Sequence, residues 1–240
     1  MKIQNTNILI TGANRGIGYA LVNAFLKAGA NKIYATARDI NSLKKTIELD
    51  PNKVIPLELD VTNYSQVSQL PAKAPDINIL VNNAGVLAFG GILDVPISVV
   101  ADQFATNFYG PLNMSRAFVP ILEKNKGAIV NLITLIALAS YPPMAGYNAS
   151  KAANWSMTQS LRASLASKNI AVFGVFPGTV DTDLVKGVEI PKTSPADVAS
   201  GIIIGIESDQ EDIFPDPMSS QTYAQWKQDH KAVEKQFASM

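Results

Sequence analysis

Short apolar runs alternate with longer amphipathic segments along the chain, and this alternation predicts its secondary structure. Short runs rich in β-branched residues predict six strands: Asn7–Thr11, Ile33–Thr36, Val54–Leu59, Ile77–Val81, Ala128–Ile133 and Ile170–Phe176. Gly16–Gly29 predicts a helix because its apolar residues fall on one face. These residues are Ile17, Ala20, Leu21, Ala24, Phe25 and Ala28. Further helical patterns cover Asn41–Leu49, Tyr64–Leu70, Ser98–Lys124 and Tyr147–Ser167.

Repeated strand–helix units of this kind predict an α/β fold. Its sheet should be parallel and doubly wound, with helices on both faces, and right-handed crossovers leave little topological choice. We see no repeat or flexible linker, so we expect one domain. The last third is less regular: Pro215–Pro217 (PDP) interrupts it, and Ser219–Ala238 predicts a final surface helix.

Composition narrows the class of protein. The chain has 240 residues, of which 47% are hydrophobic and 17% charged, enough for a real core. Twenty basic residues balance twenty acidic ones, which argues against a nucleic acid or an anionic membrane surface as partner. Residues 1–7 do not resemble a signal peptide, and Ala128–Ala139 is too short to span a bilayer. We therefore expect a cytoplasmic protein.

The scarcity of two residue types limits the chemistry. The chain has no Cys, so thiol nucleophiles and thiolate metal sites are excluded. Its one His, His230, lies near the C-terminus, so no His-rich metal site is expected and a His-based triad would depend on that residue. Acid–base catalysis therefore falls to Asp, Glu, Lys or Tyr.

A glycine-rich loop, TGANRGIG, follows the first predicted strand. Gly12 permits a tight turn, Gly16 lets backbone approach a pyrophosphate, and Gly18 lets helix and strand pack closely. The spacing G-x-x-x-G-x-G differs from G-x-G-x-x-G, and an ordinary glycine-rich turn is the alternative. The strand before the loop and the helix after it favour a dinucleotide-binding loop over an ordinary turn.

Arg38 lies twenty residues after Gly18, at the position where an NAD-binding protein would have an acid that binds the ribose. Its guanidinium, with Arg15 as a second cation, is suited to a 2′-phosphate, which favours NADP(H) over NAD(H). Alternatively, Arg38 only pairs with Asp39, or Asp39 itself binds a ribose.

Tyr147 and Lys151, in the segment YNASK, are four residues apart and so share one helical face. A phenol normally loses its proton near pH 10, and a nearby ammonium lowers that pKa, so the pair suits a tyrosine acid–base catalyst. Taken alone, the spacing also fits a surface Tyr stacked on a Lys stem.

These motifs occur together and in order with NNAG at Asn82–Gly85, Asn107 and the Pro177–Gly178 pair. The chain thereby resembles the short-chain dehydrogenase/reductase family from Thr11 to about Thr182. The resemblance implies a single Rossmann-like domain: residues 1–126 mainly hold the cofactor, residues 127–214 carry catalysis and substrate, and residues 215–240 form a tail.

The resemblance also implies roles for individual residues. Tyr147 would donate a proton to a carbonyl oxygen, Lys151 would lower its pKa and hold the nicotinamide ribose, and Asn107 would kink its helix and support a water relay. The implied catalytic residues are thus Tyr147, Lys151, Thr134 and Asn107. The implied cofactor-binding residues are Gly12, Asn14, Arg15, Gly16, Ile17, Gly18, Arg38, Asp60, Val61, Asn83, Ala84, Gly85, Tyr147, Lys151, Pro177, Gly178, Val180 and Thr182.

Plain structural roles stay open for several of these residues. Asn107 could be an ordinary helix residue, Asp60 could form a turn before Thr62, and Pro177–Gly178 could simply be a turn. The family places a Ser thirteen residues before its Tyr, whereas this chain has Thr134, which keeps the hydroxyl but restricts the rotamer. Alternatively, Thr134 is a strand-end residue; Ser140 is a poor substitute by spacing.

The resulting hypothesis is reversible hydride transfer between a nicotinamide and a carbonyl or alcohol carbon. Mostly apolar segments near 86–96, 135–145 and 183–195 favour an apolar or aromatic small-molecule substrate. The family implies a homodimer or homotetramer through Ser98–Lys124 and Tyr147–Ser167, although both helices could instead be buried within one subunit. The alternatives are an NADP(H)-binding sensor or scaffold with little catalysis, and an epimerase or dehydratase, whose relatives usually carry a longer C-terminal domain.

Overall fold

The fold is taken from a computed structural model that describes residues 1–187 and 189–240. Its strands are β1 (Asn7–Ile10), β2 (Lys32–Ala37), β3 (Val54–Glu58), β4 (Ile79–Asn82), β5 (Ala128–Leu132), β6 (Ala171–Val175) and β7 (Asp212–Ile213). All pair in parallel in one sheet of order β3-β2-β1-β4-β5-β6-β7. The predicted doubly wound parallel sheet is therefore confirmed.

Helices cover both faces of this sheet. They are α1 (Gly16–Lys27), α2 (Lys44–Ile47), α3 (Tyr64–Lys73), α4 (Ile97–Phe104), α5 (Gly110–Asn125), α6 (Ala145–Leu165), α7 (Pro195–Glu207), α8 (Pro217–Gln228) and α9 (His230–Ala238). No helix among the described residues is both long enough and apolar enough to cross a membrane.

Two apolar layers hold the helices on the sheet, one on each face. Along β1, Ile8 and Ile10 join the core beneath α1 and α7, whereas Leu9 joins the core beneath α3 and α5. Successive side chains of a strand point to opposite faces, so a strand covered on both sides is apolar throughout. This explains why the strands read as continuous apolar runs in the sequence.

The segment Ser98–Lys124, predicted as one helix, is interrupted. It consists of α4, a π-helical turn at Ala105–Tyr109, and α5. Pro111 contributes to this interruption because it has no N–H to donate to the carbonyl of Asn107, four residues earlier. A π-turn inside a helix often marks a functional site.

The predicted single helix over Ser219–Ala238 is wrong in two respects. It is two helices, because Asp229 leaves the helical conformation and its side chain accepts a hydrogen bond from Ala232 N as the N-cap of α9. It is also more than a surface element: Val233 and Phe237 are buried in a third apolar cluster with Leu135 and Ala139.

Candidate active site

A cavity of about 850 Å³ opens at the carboxyl ends of the strands. Its walls come from the segments that follow β1 to β6, the usual ligand position in an open α/β sheet. The structure places around it every residue predicted for the site except one: Gly12, Asn14, Arg15, Gly16, Ile17, Gly18, Arg38, Asp60, Val61, Asn83, Ala84, Gly85, Thr134, Tyr147, Lys151, Pro177, Gly178, Val180 and Thr182. The exception, Asn107, is completely buried beside it.

The glycine loop has the backbone its sequence demands. Gly12 and Gly16 have φ angles of +65° and +54°, in the left-handed region that favours glycine. A Cβ on Gly18 would lie 2.1 Å from the Gly12 carbonyl oxygen, so only glycine lets α1 start this close to the loop. Thr182 packs on the same loop, 3.2 Å from the position of a Cβ on Gly16.

Thr11 and Asn83 hold the loop against the end of β4. The Thr11 hydroxyl oxygen accepts from the backbone N–H groups of Asn83 and Ala84 at 2.9 and 3.0 Å. The Asn83 amide donates to the carbonyls of Thr11 and Gly12 at 2.8 and 3.0 Å. The role of Thr11 was not predicted, because its partners lie about seventy residues away in sequence.

The start of α1 suits the phosphates of a dinucleotide. The N-cap residue, Arg15, makes no side-chain cap hydrogen bond, and the first turn contains no acid. Gly16, Ile17 and Gly18 line the cavity there with Asn14. Uncapped N–H groups at the positive end of a helix form an anion site, so the residues present fit a pyrophosphate.

Two arginines flank this end of the cavity. Arg15 Nη1 lies 3.0 Å from Asp183 Oδ2, an exposed ion pair that links the glycine loop to the segment after β6. Arg38 is exposed, and within the described part of the chain no carboxylate lies within 4.0 Å of its guanidinium. Asp39 instead caps the next turn, accepting from Asn41 N at 2.9 Å. The alternative that Arg38 pairs with Asp39 is therefore wrong.

Asp60 has a structural contact as well as a place on the cavity wall. Its Oδ1 accepts from the backbone N–H and the hydroxyl of Thr62 at 2.9 and 2.7 Å, the turn-forming role left open above. Both Asp60 and Val61 line the cavity. Contact with an adenine stays a prediction for these two residues.

Tyr147 and Lys151 lie in the first two turns of α6, and both are almost fully buried at the cavity wall. Lys151 Nζ is 5.8 Å from the centre of the Tyr147 ring and donates to the Leu132 carbonyl at 2.6 Å. Burial lowers the pKa of Lys151 to about 8 and raises the pKa of Tyr147 well above its usual 10. Desolvation thus outweighs the predicted lowering of the tyrosine pKa by the lysine.

Asn107 joins α6 to the loop after β4. Its Oδ1 accepts from Val86 N and its Nδ2 donates to Val86 O, both at 2.9 Å. Nδ2 also donates to Ser150 Oγ at 3.0 Å, and that hydroxyl donates to the Tyr147 carbonyl at 2.7 Å. The open alternative of an ordinary helix residue is excluded, because Asn107 occupies the π-turn and bridges two other segments.

The carbonyl of Asn107 has a partner that the sequence analysis missed. Pro111 cannot donate to it, and the side chain of Asn154, one turn after Lys151, donates instead at 2.8 Å. Asn154 is completely buried. Two further buried hydrogen bonds extend this network: the Thr158 hydroxyl donates to the Asn154 carbonyl, and the Asn131 amide donates to the Thr158 hydroxyl oxygen.

Thr134 lies at the end of β5, 8% exposed, and lines the cavity with Tyr147. Its hydroxyl makes a long 3.4 Å contact to the Pro177 carbonyl, so little holds it in that orientation. Ser140, the poorer candidate by spacing, accepts from the Asn148 side chain at 2.8 Å and is not part of the cavity wall.

The Pro177–Gly178 turn is fixed by the C-terminal part of the chain. Gly178 N donates to Asp216 Oδ2 at 2.9 Å, while Asp216 Oδ1 accepts from Ser219 N as the N-cap of α8. Asp216 is only 5% exposed. The PDP segment, which looked like an interruption, therefore connects the tail to the cavity wall.

Comparison with known proteins identifies relatives for this fold and site. The family model described as short chain dehydrogenase matches residues 6–192. A Short chain dehydrogenase pigC from Monascus ruber is 34% identical over 75% of this chain, which spans 64% of that relative's length.

Solved structures cover nearly the whole chain. A short chain dehydrogenase from Burkholderia cenocepacia J2315, in complex with NADP, is 33% identical with a TM-score of 0.93, and 99% of each chain is covered. A short chain dehydrogenase/reductase from Burkholderia phymatum, in complex with NAD, is 26% identical with a TM-score of 0.87, covering 98% and 96% of the two chains. Both nicotinamide cofactors therefore occur in proteins with this fold.

Proposed function

Because this chain belongs to the short-chain dehydrogenase/reductase family, whose members are NAD(P)-dependent enzymes acting on alcohol or carbonyl groups, we propose that it reduces an aldehyde or ketone with NADPH and that Tyr147 donates the proton. The supporting observation is the arrangement of one cavity, which is lined both by the uncapped N-terminus of α1 and by the buried Tyr147–Lys151 pair.

The cofactor, when bound, would supply the hydride that reduces the carbonyl carbon. Gly12 to Gly18 would hold its pyrophosphate, and Lys151 its nicotinamide ribose. Tyr147 would give its phenolic proton to the carbonyl oxygen, and Thr134 would turn its hydroxyl from Pro177 to donate to the developing alkoxide. The raised pKa of Tyr147 keeps the phenol protonated before this step.

Lys151 would then restore the catalytic proton. Because burial lowers its pKa to about 8, it is an ammonium at neutral pH that gives up a proton more readily than an ordinary lysine. Its proton goes to the phenolate of Tyr147, and the amine is reprotonated from solvent. Asn107 would hold the loop and helix that frame this path, through Val86 and Ser150.

The experiment that tests this function is a carbonyl screen with the Tyr147→Phe variant. We expect the wild type to oxidise NADPH with at least one aldehyde or ketone. The variant should lose about 10³-fold or more in kcat because only the proton donor is missing, while its NADPH affinity, measured by fluorescence titration, stays within about twofold. Tight NADPH binding without turnover of any compound by the wild type would favour the sensor alternative.

The preference for NADP(H) is proposed from Arg38, the exposed cation without a carboxylate partner in the described chain. Arg38→Ala should weaken NADPH binding by about 10- to 100-fold, since a charge-assisted contact is worth ~1.5–3 kcal/mol, and change NADH binding little. Lys45→Ala, which removes an exposed cation that does not line the cavity, is the matched control. Equal losses for both cofactors would contradict the assignment of Arg38 to a 2′-phosphate.

We also propose a homodimer or homotetramer. Several large apolar side chains are exposed next to the helices predicted to pair: Phe89, Ile92, Leu93, Ile97 and Tyr109. Burying them against a second copy would remove apolar surface from water. Light scattering of the purified protein would give the number of subunits, and a monomer at all concentrations would contradict the proposal.

A further inference from the structure

The C-terminal helices α8 and α9 contribute a wall to the active-site cavity. The residues that line it are Met218 and Thr222 in α8, Gln236 and Phe237 in α9, and Met240 two residues after α9; none of their side chains carries a charge. They lie next to the segment after β6 and the turn that follows Thr134, so this wall adjoins the predicted carbonyl position.

Contacts at the start of α8 and in α9 fix this wall in place. At the start of α8, Asp216 accepts from Gly178 N, and Met218 Sδ lies 3.8 Å from the Thr179 hydroxyl. In α9, Phe237 is 9% exposed and packs in one cluster with Leu135 and Ala139, immediately after Thr134. The wall is thus packed directly on the residues that would surround a bound carbonyl.

The chemistry of the neighbouring residues indicates what the wall binds. In the segment after β6, Leu184 and Ile190 line the same cavity and are each 37% exposed, and Met240 is 61% exposed. Ile136, Tyr141 and Met144 complete the lining near Thr134. An apolar ligand that covers exposed apolar side chains in a cavity removes their surface from water, and this favours binding.

We propose that α8 and α9 form a specificity-determining wall, with Phe237 as its central residue, that selects aldehydes and ketones bearing an extended apolar group. The inference rests on the proposed carbonyl reduction and names the substrate class for it. The apolar group would lie against Phe237, Met240, Leu184 and Ile190, which all line this cavity.

A homologous series of straight-chain aldehydes, from propanal to decanal, tests the wall. For the wild type, KM should fall by about fourfold for each further buried methylene group. In Phe237→Ala, KM for decanal should rise by about tenfold relative to wild type, because apolar contact is lost, whereas KM for propanal should stay within about twofold. Lys235→Ala, an exposed neighbour on α9, is the matched control.

Binding without turnover provides an independent readout. Straight-chain primary amides resemble the aldehydes in shape and are not reduced, so calorimetric titration into the protein with NADP⁺ measures the wall alone. Decanamide should bind Phe237→Ala about tenfold more weakly than wild type, and propanamide equally. Phe237→Leu, which keeps an apolar residue, should be intermediate and serves if the alanine variant does not fold.

The outcomes separate this inference from the proposed function. The wild type could reduce aldehydes without any dependence on chain length, or Phe237→Ala could lose activity equally for all lengths. Either result contradicts the specificity role of the wall and leaves the proposed carbonyl reduction intact. The wild type could instead turn over no carbonyl compound and still bind amides more tightly as their chain lengthens, with Phe237→Ala weakening that binding. This result supports the wall as an apolar binding site and contradicts the proposed reaction.

Discussion

At the level of single residues, burial sets the pKa values of Tyr147 and Lys151. Tyr147 and Lys151 are 8% and 4% exposed, so desolvation disfavours both the phenolate and the ammonium. The pKa of Tyr147 is raised and that of Lys151 is lowered. At neutral pH the phenol therefore stays protonated, whereas the ammonium gives up a proton more readily than an ordinary lysine does. Any charge added nearby, including that of a bound cofactor, changes the pKa values of both residues.

The lowered pKa of Lys151 predicts a pH limit on reduction. As pH rises through about 8, the ammonium becomes an amine, and both the stabilising charge and the proton for Tyr147 are lost. We therefore expect kcat for carbonyl reduction to fall above this pH. A titration followed by the ¹³Cε chemical shift of labelled lysine should show one residue, Lys151, changing near pH 8.

Lys151→Met provides the control, because it removes the titrating amine. It should lower kcat by about 10²-fold and abolish the decline near pH 8. A decline at the same pH in this variant would assign it to a different group.

The sequence predicted the residues with strong local signals better than their partners. Gly12, Gly16 and Gly18, as well as Tyr147 and Lys151, occur at short, fixed spacings, and the structure places them around one cavity. The sequence did not predict the roles of Thr11, Asn154 and Asp216, because these roles depend on contacts with segments distant in sequence. Nothing in the neighbouring sequence of Asp216 indicates that Gly178 will lie 2.9 Å away.

Among the secondary-structure elements, the interrupted helix α4–α5 positions the site. The π-turn places Asn107 against Val86 and Ser150, and Pro111 leaves the Asn107 carbonyl without its usual donor inside the helix. The amide of Asn154 replaces that donor. Two elements of the active site, the helix carrying Asn107 and α6, are therefore joined through a buried side chain.

Asn154→Leu should destabilise the protein by about 1–3 kcal/mol, because the buried Asn107 carbonyl loses its donor. Urea unfolding would measure this change, and kcat should fall with it as Asn107 loses its fixed position. Ser156→Ala, an exposed substitution two residues along α6, should change stability by less than about 0.5 kcal/mol. Equal stabilities for the two variants would show that Asn154 does not support the turn.

The six predicted strands are confirmed with ends shifted by up to two residues, but α7 and β7 were missed. β7 spans only Asp212–Ile213, too short for a pattern. Gly201 and Gly205 weaken the helical signal of α7, and they are needed for close packing. A Cβ on Gly201 would lie 2.4 Å from the Pro215 carbonyl oxygen.

At the scale of the whole molecule, the cavity collects segments from both halves of the chain. The glycine loop, the loop after β4, the start of α6 and the C-terminal helices all border it. A bound dinucleotide would contact many of these segments at once. Its binding therefore stabilises the folded state against a chain in which they are far apart.

We expect NADP⁺ at 100 times its Kd to raise the free energy of unfolding by about 2.7 kcal/mol. For a domain of this size, the corresponding rise in Tm is about 5–10 °C, measurable by scanning calorimetry. Arg38→Ala should reduce the shift at the same NADP⁺ concentration and leave the shift with NAD⁺ unchanged. An identical Tm with and without NADP⁺ would contradict dinucleotide binding in this cavity.

The hydrogen bond between Gly178 N and Asp216 bears on how chimeras with related dehydrogenases should be designed. A crossover between these two positions would combine a turn from one parent with an anchoring carboxylate from the other. Placing the junction before Pro177 transfers the turn, the aspartate and both terminal helices as one block. Such block exchange is the route we favour for grafting a different substrate preference onto this catalytic scaffold.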